Sequence, residues 1–142
     1  MRGRPGSARG GPILPALLLV VSLLAQPQAG LAAQTEDACA ALVAARMKLL
    51  EMIDSRGRGD LDALKREVYA SSARLEGEVG ALRGDDAARA IAFRRIWEPF
   101  KRTREQEILP ALYRGQYARA RAIAYGVQAE RYEQMRAALG CR

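Results

Sequence analysis

The segment FRRIWEPFKRTREQEILPALYRGQYARARAIAYG, residues 93–126, decides the fold that the sequence predicts. Its apolar residues recur at helical spacing as far as Arg114. Gly115 is the strongest helix stop inside the chain, because glycine adopts the left-handed conformation at little steric cost. The helical pattern resumes after it. The segment therefore predicts the end of one long helix and the start of another.

Two earlier helices are predicted upstream of this segment. The first runs from an N-cap at Thr35 to about Arg56, and the second follows the N-cap Asp60 and ends before the turn at residues 83–86. The last helix of the chain ends at Gly140. The predicted core positions are Cys39, Leu42, Leu49, Met52, Ile53, Leu61, Leu64, Val68, Ser71 or Ser72, Leu75, Val79, Leu82, Ile91, Phe93, Ile96, Trp97, Phe100, Ile108, Leu109, Ala120, Ile123, Ala124, Val127, Met135 and Leu139.

The order of these elements predicts an all-α fold. No segment alternates apolar and polar residues for long enough to form a strand. Short connections between helices join antiparallel neighbours. We therefore expect one domain, residues 34–142, that folds as an antiparallel up-down-up-down four-helix bundle with both termini at one end.

Two prolines interrupt the third predicted helix. A proline inside a helix removes one backbone hydrogen bond and clashes with the carbonyl four residues earlier. Pro99 and Pro110 are therefore expected to bend the chain near Arg95 and Gln106. The sequence leaves open whether each produces a simple bend, a 3₁₀ turn, a π-bulge or a break.

The N-terminal residues predict export. Three arginines precede an apolar run at residues 13–24, which is shorter than the roughly 20 residues that a membrane span needs. Small residues follow, so segment 1–33 reads as a secretory signal peptide cleaved after Ala32 or Ala33. The alternative is an uncleaved N-terminal anchor. We expect a periplasmic or secreted protein with no membrane span after cleavage.

The formal charge of the full chain is +7, and three of its basic residues lie in the predicted signal peptide. The remaining charge is ordinary for a helical domain, so we expect no nucleic-acid partner.

Two cysteines, Cys39 and Cys141, lie near the two ends of the predicted domain. An even number of antiparallel helices brings these ends together, and an exported compartment permits oxidation. A Cys39–Cys141 disulfide is therefore predicted, with two unpaired thiols as the alternative.

A set of aromatic and apolar positions around one glycine marks the third and fourth predicted helices: Trp97, Phe100, Ile108, Leu109, Leu112, Gly115, Ala120, Tyr132 and Met135. This layout resembles the four-helix-bundle ligand-binding domain of methyl-accepting chemotaxis receptors and related sensor kinases. The resemblance implies a free-standing exported bundle that binds a small ligand or a signalling partner such as a membrane receptor. It does not imply transmembrane signalling, since we expect no second span. The alternative is a structural or chaperone-like periplasmic bundle, and either form could be a homodimer.

Cations and one tryptophan mark the candidate ligand site on the third helix. Guanidinium groups suit carboxylate ligands because they offer two parallel donors. We choose Arg95, Trp97 and Arg102 as ligand-binding candidates for a small carboxylate, with a solvated basic face and a core tryptophan as the alternative readings. The cations of residues 94–104 are Arg94, Arg95, Lys101, Arg102 and Arg104.

Catalysis has little support in the sequence. The chain contains no histidine, the commonest general base and metal ligand at neutral pH. We expect no enzyme activity, no catalytic residues, no metal and no cofactor. An exported all-helical chorismate mutase, which needs no histidine, is a further alternative, although its motif cannot be placed on specific positions.

Overall fold

The computed structural model describes residues 27–142, and the described chain is helical with no strand. The all-α class is therefore confirmed, whereas the predicted signal segment lies outside the described residues as far as residue 26. The elements fall into four helical segments. They are α1 (Pro27–Asp54), α2 (Leu61–Ala81), a 3₁₀ turn (Gly84–Asp86), α3 (Ala87–Thr103), a π turn (Arg104–Ile108), α4 (Leu109–Tyr113), α5 (Tyr117–Tyr125) and α6 (Val127–Leu139).

The first helix begins at Pro27, so the prediction of an N-cap at Thr35 is wrong. Proline suits the first position of a helix, and the residues that follow are rich in alanine, the best helix former. Thr35 lies inside α1 and donates its hydroxyl hydrogen to Oδ2 of Asp86 at 3.2 Å. This contact links α1 to the turn before α3.

The start of the second helix follows the prediction. Oδ1 of Asp60 accepts a hydrogen bond from the backbone N–H of Ala63 at 3.0 Å, which satisfies one of the free donors at the start of α2. Gly57 and Gly59 precede it with φ angles of +73° and +88°. These left-handed conformations reverse the chain between α1 and α2.

The third helical segment, residues 87–113, accommodates Pro99 and Pro110 in different ways. Pro99 is accommodated inside α3, which remains α-helical through Thr103. Pro110 has no N–H to bond the carbonyl of Gln106, and the chain forms the π turn at this place. At the end of this turn, the backbone N–H of Leu109 donates to the carbonyl oxygen of Arg104, five residues earlier. The π-bulge, one of the open readings, is therefore the structure at Gln106.

The last segment breaks at Gly126, so the prediction of one continuous final helix is wrong. The backbone of Gly126 has φ −96° and ψ −112°, far from helical values. A Cβ at this position would lie 2.9 Å from the carbonyl oxygen of Ala122, which explains the need for glycine. Because the chain breaks here, Val127 is exposed and Gln128 is buried in its place.

One hydrophobic core lies between the helices. α1 packs along α2, α3 packs along α6, and α1 also contacts α5 and α6. The rings of Phe93 and Trp97 stack with centroids 5.8 Å apart, and those of Trp97 and Phe100 stack at 5.3 Å. Most predicted core positions are buried or half-buried, with Ser72 filling the gap in α2. Ile91 is exposed, because the buried stripe of α3 passes through Ala90 and Phe93 instead.

Cys39 of α1 and Cys141, directly after α6, form a disulfide that closes a separation of 102 residues. The predicted bridge is present. No helix among residues 27–142 is both long enough and apolar enough to cross a membrane.

Candidate functional site

The structure separates the three predicted ligand-binding residues. Trp97 is buried, with 2% of its surface exposed, and belongs to the aromatic stack of the core. Arg95 and Arg102 are exposed and make no hydrogen bond or ion pair with another described residue. Neither arginine lines a groove with Trp97. The neighbouring cations Arg94 and Lys101 do so instead.

A groove of about 260 Å³ lies between α2 and α3. The backbones of α2 and α3 approach each other less closely than those of α1 and α2, which leaves room for the groove. The groove is therefore mixed in character, with an apolar floor and charged walls. Its lining residues are Glu76, Val79, Phe93, Arg94, Trp97, Glu98 and Lys101.

Glu76 is the central acceptor of this groove. Its Oε1 accepts hydrogen bonds from Nε1 of Trp97 at 2.7 Å and from Nζ of Lys101 at 2.8 Å. Partial burial opposes ionisation of Glu76, but the hydrogen bonds from Lys101 and Trp97 outweigh it and lower the pKa of the carboxyl. Lys101 is also paired with Glu98 at 2.9 Å. Burial lowers the pKa of Lys101, and its two carboxylate partners more than reverse this, so the net pKa is raised.

Arg104, the first residue of the π turn, is buried beside the groove. Only 4% of its surface is exposed, so its assignment to a solvated face is wrong. Its Nε donates to Oε1 of Glu105 at 2.8 Å, and its Nη1 donates to Oγ of Ser72 at 2.7 Å. The guanidinium carbon lies 5.1 Å from the ring centroid of Tyr69. The sequence contained a signal for this burial: Arg104 lies four residues after Phe100, in phase with the buried stripe of α3.

Tyr69 completes this group of side chains. Its hydroxyl donates to Oε2 of Glu105 at 2.6 Å. Burial and then this hydrogen bond raise the pKa of Tyr69 to about 12, against an opposing effect of Arg104. We call the set the Glu76–Arg104 network; its members are Tyr69, Ser72, Glu76, Trp97, Lys101, Arg104 and Glu105.

The groove has the chemistry of a binding site for opposite charges. Arg94 makes no ion pair with another described residue, and Glu98 is paired only with Lys101. A ligand that carries both an ammonium and a carboxylate group could therefore meet Glu98 and Arg94 over an apolar floor. Within residues 27–142 there is no cluster of three or more His, Cys, Asp or Glu side chains that could hold a metal ion.

A second arginine is buried on the other side of the molecule, and sequence reasoning missed it. Arg46 of α1 is 7% exposed, and its Nη2 donates to the carbonyl oxygen of Ala124 at 2.6 Å. Its Nη1 is buried and has no hydrogen-bond partner. Burial lowers the pKa of Arg46 despite the opposing effects of Tyr125 and Tyr132. The sequence contained a signal: Arg46 lies in phase with the apolar stripe of α1, four residues after Leu42.

Comparison with protein families, with curated proteins and with solved structures finds no match to this chain. The resemblance to chemoreceptor ligand-binding domains therefore rests on the positions from Trp97 onward.

Proposed function

We propose that the protein is an exported helical bundle that binds a small zwitterionic ligand, such as an amino acid, in the groove between α2 and α3. This role resembles that of chemoreceptor sensor domains, and it is a binding role without catalysis. The single observation that carries it is a groove lined by the buried Trp97, by an unpaired cation, Arg94, and by the acid Glu98.

The proposal includes the antiparallel up-down-up-down arrangement. Side-chain contacts across each of the three turns support it. Nζ of Lys48 lies 2.6 Å from Oε2 of Glu67 across the first turn, and Trp97 contacts Glu76 across the second. Nε2 of Gln128 donates to the carbonyl oxygen of Phe100 at 2.9 Å across the third. An arrangement of this kind also brings Cys39 close to Cys141.

Export is supported by two independent features. The N-terminal residues have the order of a signal peptide, with basic, apolar and small-residue regions. The disulfide between Cys39 and Cys141 is typical of an oxidising compartment. The ligand would therefore be one that is present outside the cytoplasm.

A thermal-shift panel of amino acids and organic acids tests this function. Binding raises the unfolding free energy by RT ln(1 + [L]/Kd), about 2.7 kcal/mol when the ligand is at 100 times Kd. We expect a saturable shift with at least one amino acid and none with its N-acetylated ester, which lacks both charges. The intact mass of the same preparation shows whether the chain begins after Ala32 or Ala33.

Variants of matched charge locate the ligand. Arg94→Gln is expected to weaken binding about tenfold, because one hydrogen bond to a charged group contributes about 1.5 kcal/mol. Arg95→Gln and Arg102→Gln are the controls, since both arginines are exposed and lie outside the groove. Equal losses in Arg95→Gln and Arg94→Gln would move the site to the outer face of α3.

A structural bundle without a ligand is the second candidate. The observation that favours it is the mutual pairing of Glu76, Lys101 and Glu98, which satisfies these charges without a ligand. A panel that gives no saturable shift in a folded protein would establish this alternative over the sensor-like role.

A further inference from the structure

A guanidinium group without a counter-ion lies in the core next to the break at Gly126. Arg46 is more than nine-tenths buried, and no carboxylate of residues 27–142 is within ion-pair distance of it. Its Nη1 is buried without an acceptor, whereas Nη2 is satisfied by the carbonyl of Ala124. Buried charges in proteins are usually paired, because an unpaired one loses its hydration without compensation. An anion at Nη1 would supply this compensation.

We propose that Arg46 is the anion-binding residue of a second ligand site, between α1 and the α5–α6 break, which takes a small aromatic carboxylate. We call it the Arg46 site; it consists of Arg46, the carbonyl of Ala124, and the rings of Tyr125 and Tyr132. A carboxylate supplies the acceptor that Nη1 lacks and cancels the single buried charge. The site does not depend on the groove between α2 and α3, which shares none of its residues.

The two tyrosine rings define the preferred body of the ligand. The guanidinium carbon of Arg46 lies 5.9 Å from the ring centroid of Tyr125 and 5.8 Å from that of Tyr132. Both rings are therefore in cation–π contact with the guanidinium. A planar aromatic ligand can stack on such rings while its carboxylate reaches the guanidinium, and aromatic stacking favours it over an aliphatic acid of the same size.

Tyr125 controls access to the charge. It is the more exposed of the two rings, at 47%, and its hydroxyl donates to Oδ2 of Asp54 at 3.0 Å. Arg121 pairs with the same carboxylate, and its guanidinium carbon lies 4.4 Å from the centroid of Tyr125. Rotation of Tyr125 would break one hydrogen bond and open Arg46, and Arg121 would present a second positive charge at the entrance.

A mostly apolar groove of about 280 Å³ adjoins the contacts that hold Tyr125. It shares Asp54 and Arg121 with the contacts that hold Tyr125. Its lining residues are Ile53, Asp54, Arg56, Tyr117, Ala118 and Arg121.

Calorimetric titration of three acids tests the Arg46 site. Benzoate, phenylacetate and indole-3-acetate are added to the protein, each beside its neutral amide. We expect at least one acid to bind saturably and its amide to bind at least tenfold more weakly. Arg46→Met should weaken binding of the acid at least tenfold, and Arg74→Met, at an exposed arginine of α2, should leave it unchanged.

Two further variants keep the test decisive. Arg46→Lys retains the charge but loses the planar pair of donors, so we expect an intermediate loss of affinity for the acid. This variant replaces Arg46→Met in the test if Arg46→Met does not fold. Tyr125→Phe keeps the ring and removes its bond to Asp54, so the acid should bind severalfold tighter. The proposal is overturned if no acid binds the wild type, or if the Arg46 variants bind it as the wild type does. Amino-acid binding in the other groove should not respond to Arg46→Met, so the two sites fail separately.

Discussion

Two buried arginines, Arg104 and Arg46, differ in how their charges are compensated. Arg104 has a carboxylate partner in Glu105 and a hydroxyl partner in Ser72. Arg46 has one backbone carbonyl and one unsatisfied N–H group. Both residues are at least nine-tenths buried, so burial alone does not separate them. The difference is that Arg104 has a carboxylate within ion-pair distance, whereas Arg46 has none among the described residues.

The neighbouring backbone explains this difference. Arg104 pairs with Glu105, its neighbour in the sequence, and α2 contributes Ser72 across the interface between the two helices. Around Arg46, the break at Gly126 frees a carbonyl at the end of α5 but adds no carboxylate. The first arginine is therefore part of a closed network that stabilises the fold. Arg46 keeps an unsatisfied donor at Nη1, to which a ligand could supply the acceptor.

Removal of the disulfide is expected to have the largest effect on stability, because this bond ties α1 to the end of α6. In the chain-entropy model, a loop of 102 residues contributes about 4 to 5 kcal/mol to stability. The double variant Cys39→Ala/Cys141→Ala should therefore unfold at a much lower urea concentration, with Trp97, the single tryptophan, as the fluorescent reporter.

Reduced wild-type protein is the matched control, since it should unfold at nearly the same urea concentration as the double variant. Hydrogen exchange would sharpen the comparison, because α1 and α6 should lose protection before the α2–α3 groove does. Equal stability of oxidised and reduced wild type would contradict the prediction.

The two arginines are compared directly by the same substitution. Arg104→Met removes two hydrogen bonds from a charged group, so it should lower the unfolding free energy by about 2 kcal/mol. Arg46→Met removes a buried charge that has no carboxylate partner together with one hydrogen bond to Ala124, so it should leave the unfolding free energy unchanged or raise it. Urea denaturation of both variants measures this contrast. Equal destabilisation would show that Arg46 is as well satisfied as Arg104.

Much of the fold could be predicted from the sequence, because local chemistry decides it. Asp60 caps α2 and Gly115 ends the third segment as helix signals require. The errors arose where several conformations fit the same pattern. Thr35 is a good cap in isolation, but a longer helix outcompetes it. Gly126 lies inside a helical pattern, and only the packing around it decides that the chain breaks.

The candidate sites were harder to predict, because they depend on what side chains meet across helices. Trp97 was chosen as a ligand-binding candidate with a core position as the alternative; it is buried in the core, and its hydrogen bond to Glu76 joins two helices and leaves no trace in local spacing. Arg104 was grouped with exposed cations because of its charge, although it lies in phase with the buried residues Trp97 and Phe100. The binding roles of Arg95 and Arg102 remain predictions.

The smallest expected effect concerns Glu76, whose pKa is lower in the folded protein than its usual value of 4.5. Ionised Glu76 therefore stabilises the fold above about pH 4.5, and this contribution is lost as the pH falls through the lowered pKa. Glu76→Gln should be less stable than wild type at pH 7, by less than about 1 kcal/mol because the side chain is 46% exposed, and equal to it near pH 2. Urea unfolding followed by circular dichroism at a series of pH values measures the difference.

Two variants show whether this pH dependence belongs to the Glu76–Arg104 network. Trp97→Phe removes one of the two hydrogen bonds to Oε1 of Glu76, so the difference between pH 7 and pH 2 should shrink. Arg46→Met should keep the full difference, because no carboxylate of the described chain is paired with Arg46. A reduced pH dependence in Arg46→Met would mean that Arg46 and Glu76 are coupled, and the network and the Arg46 site could no longer be treated as independent.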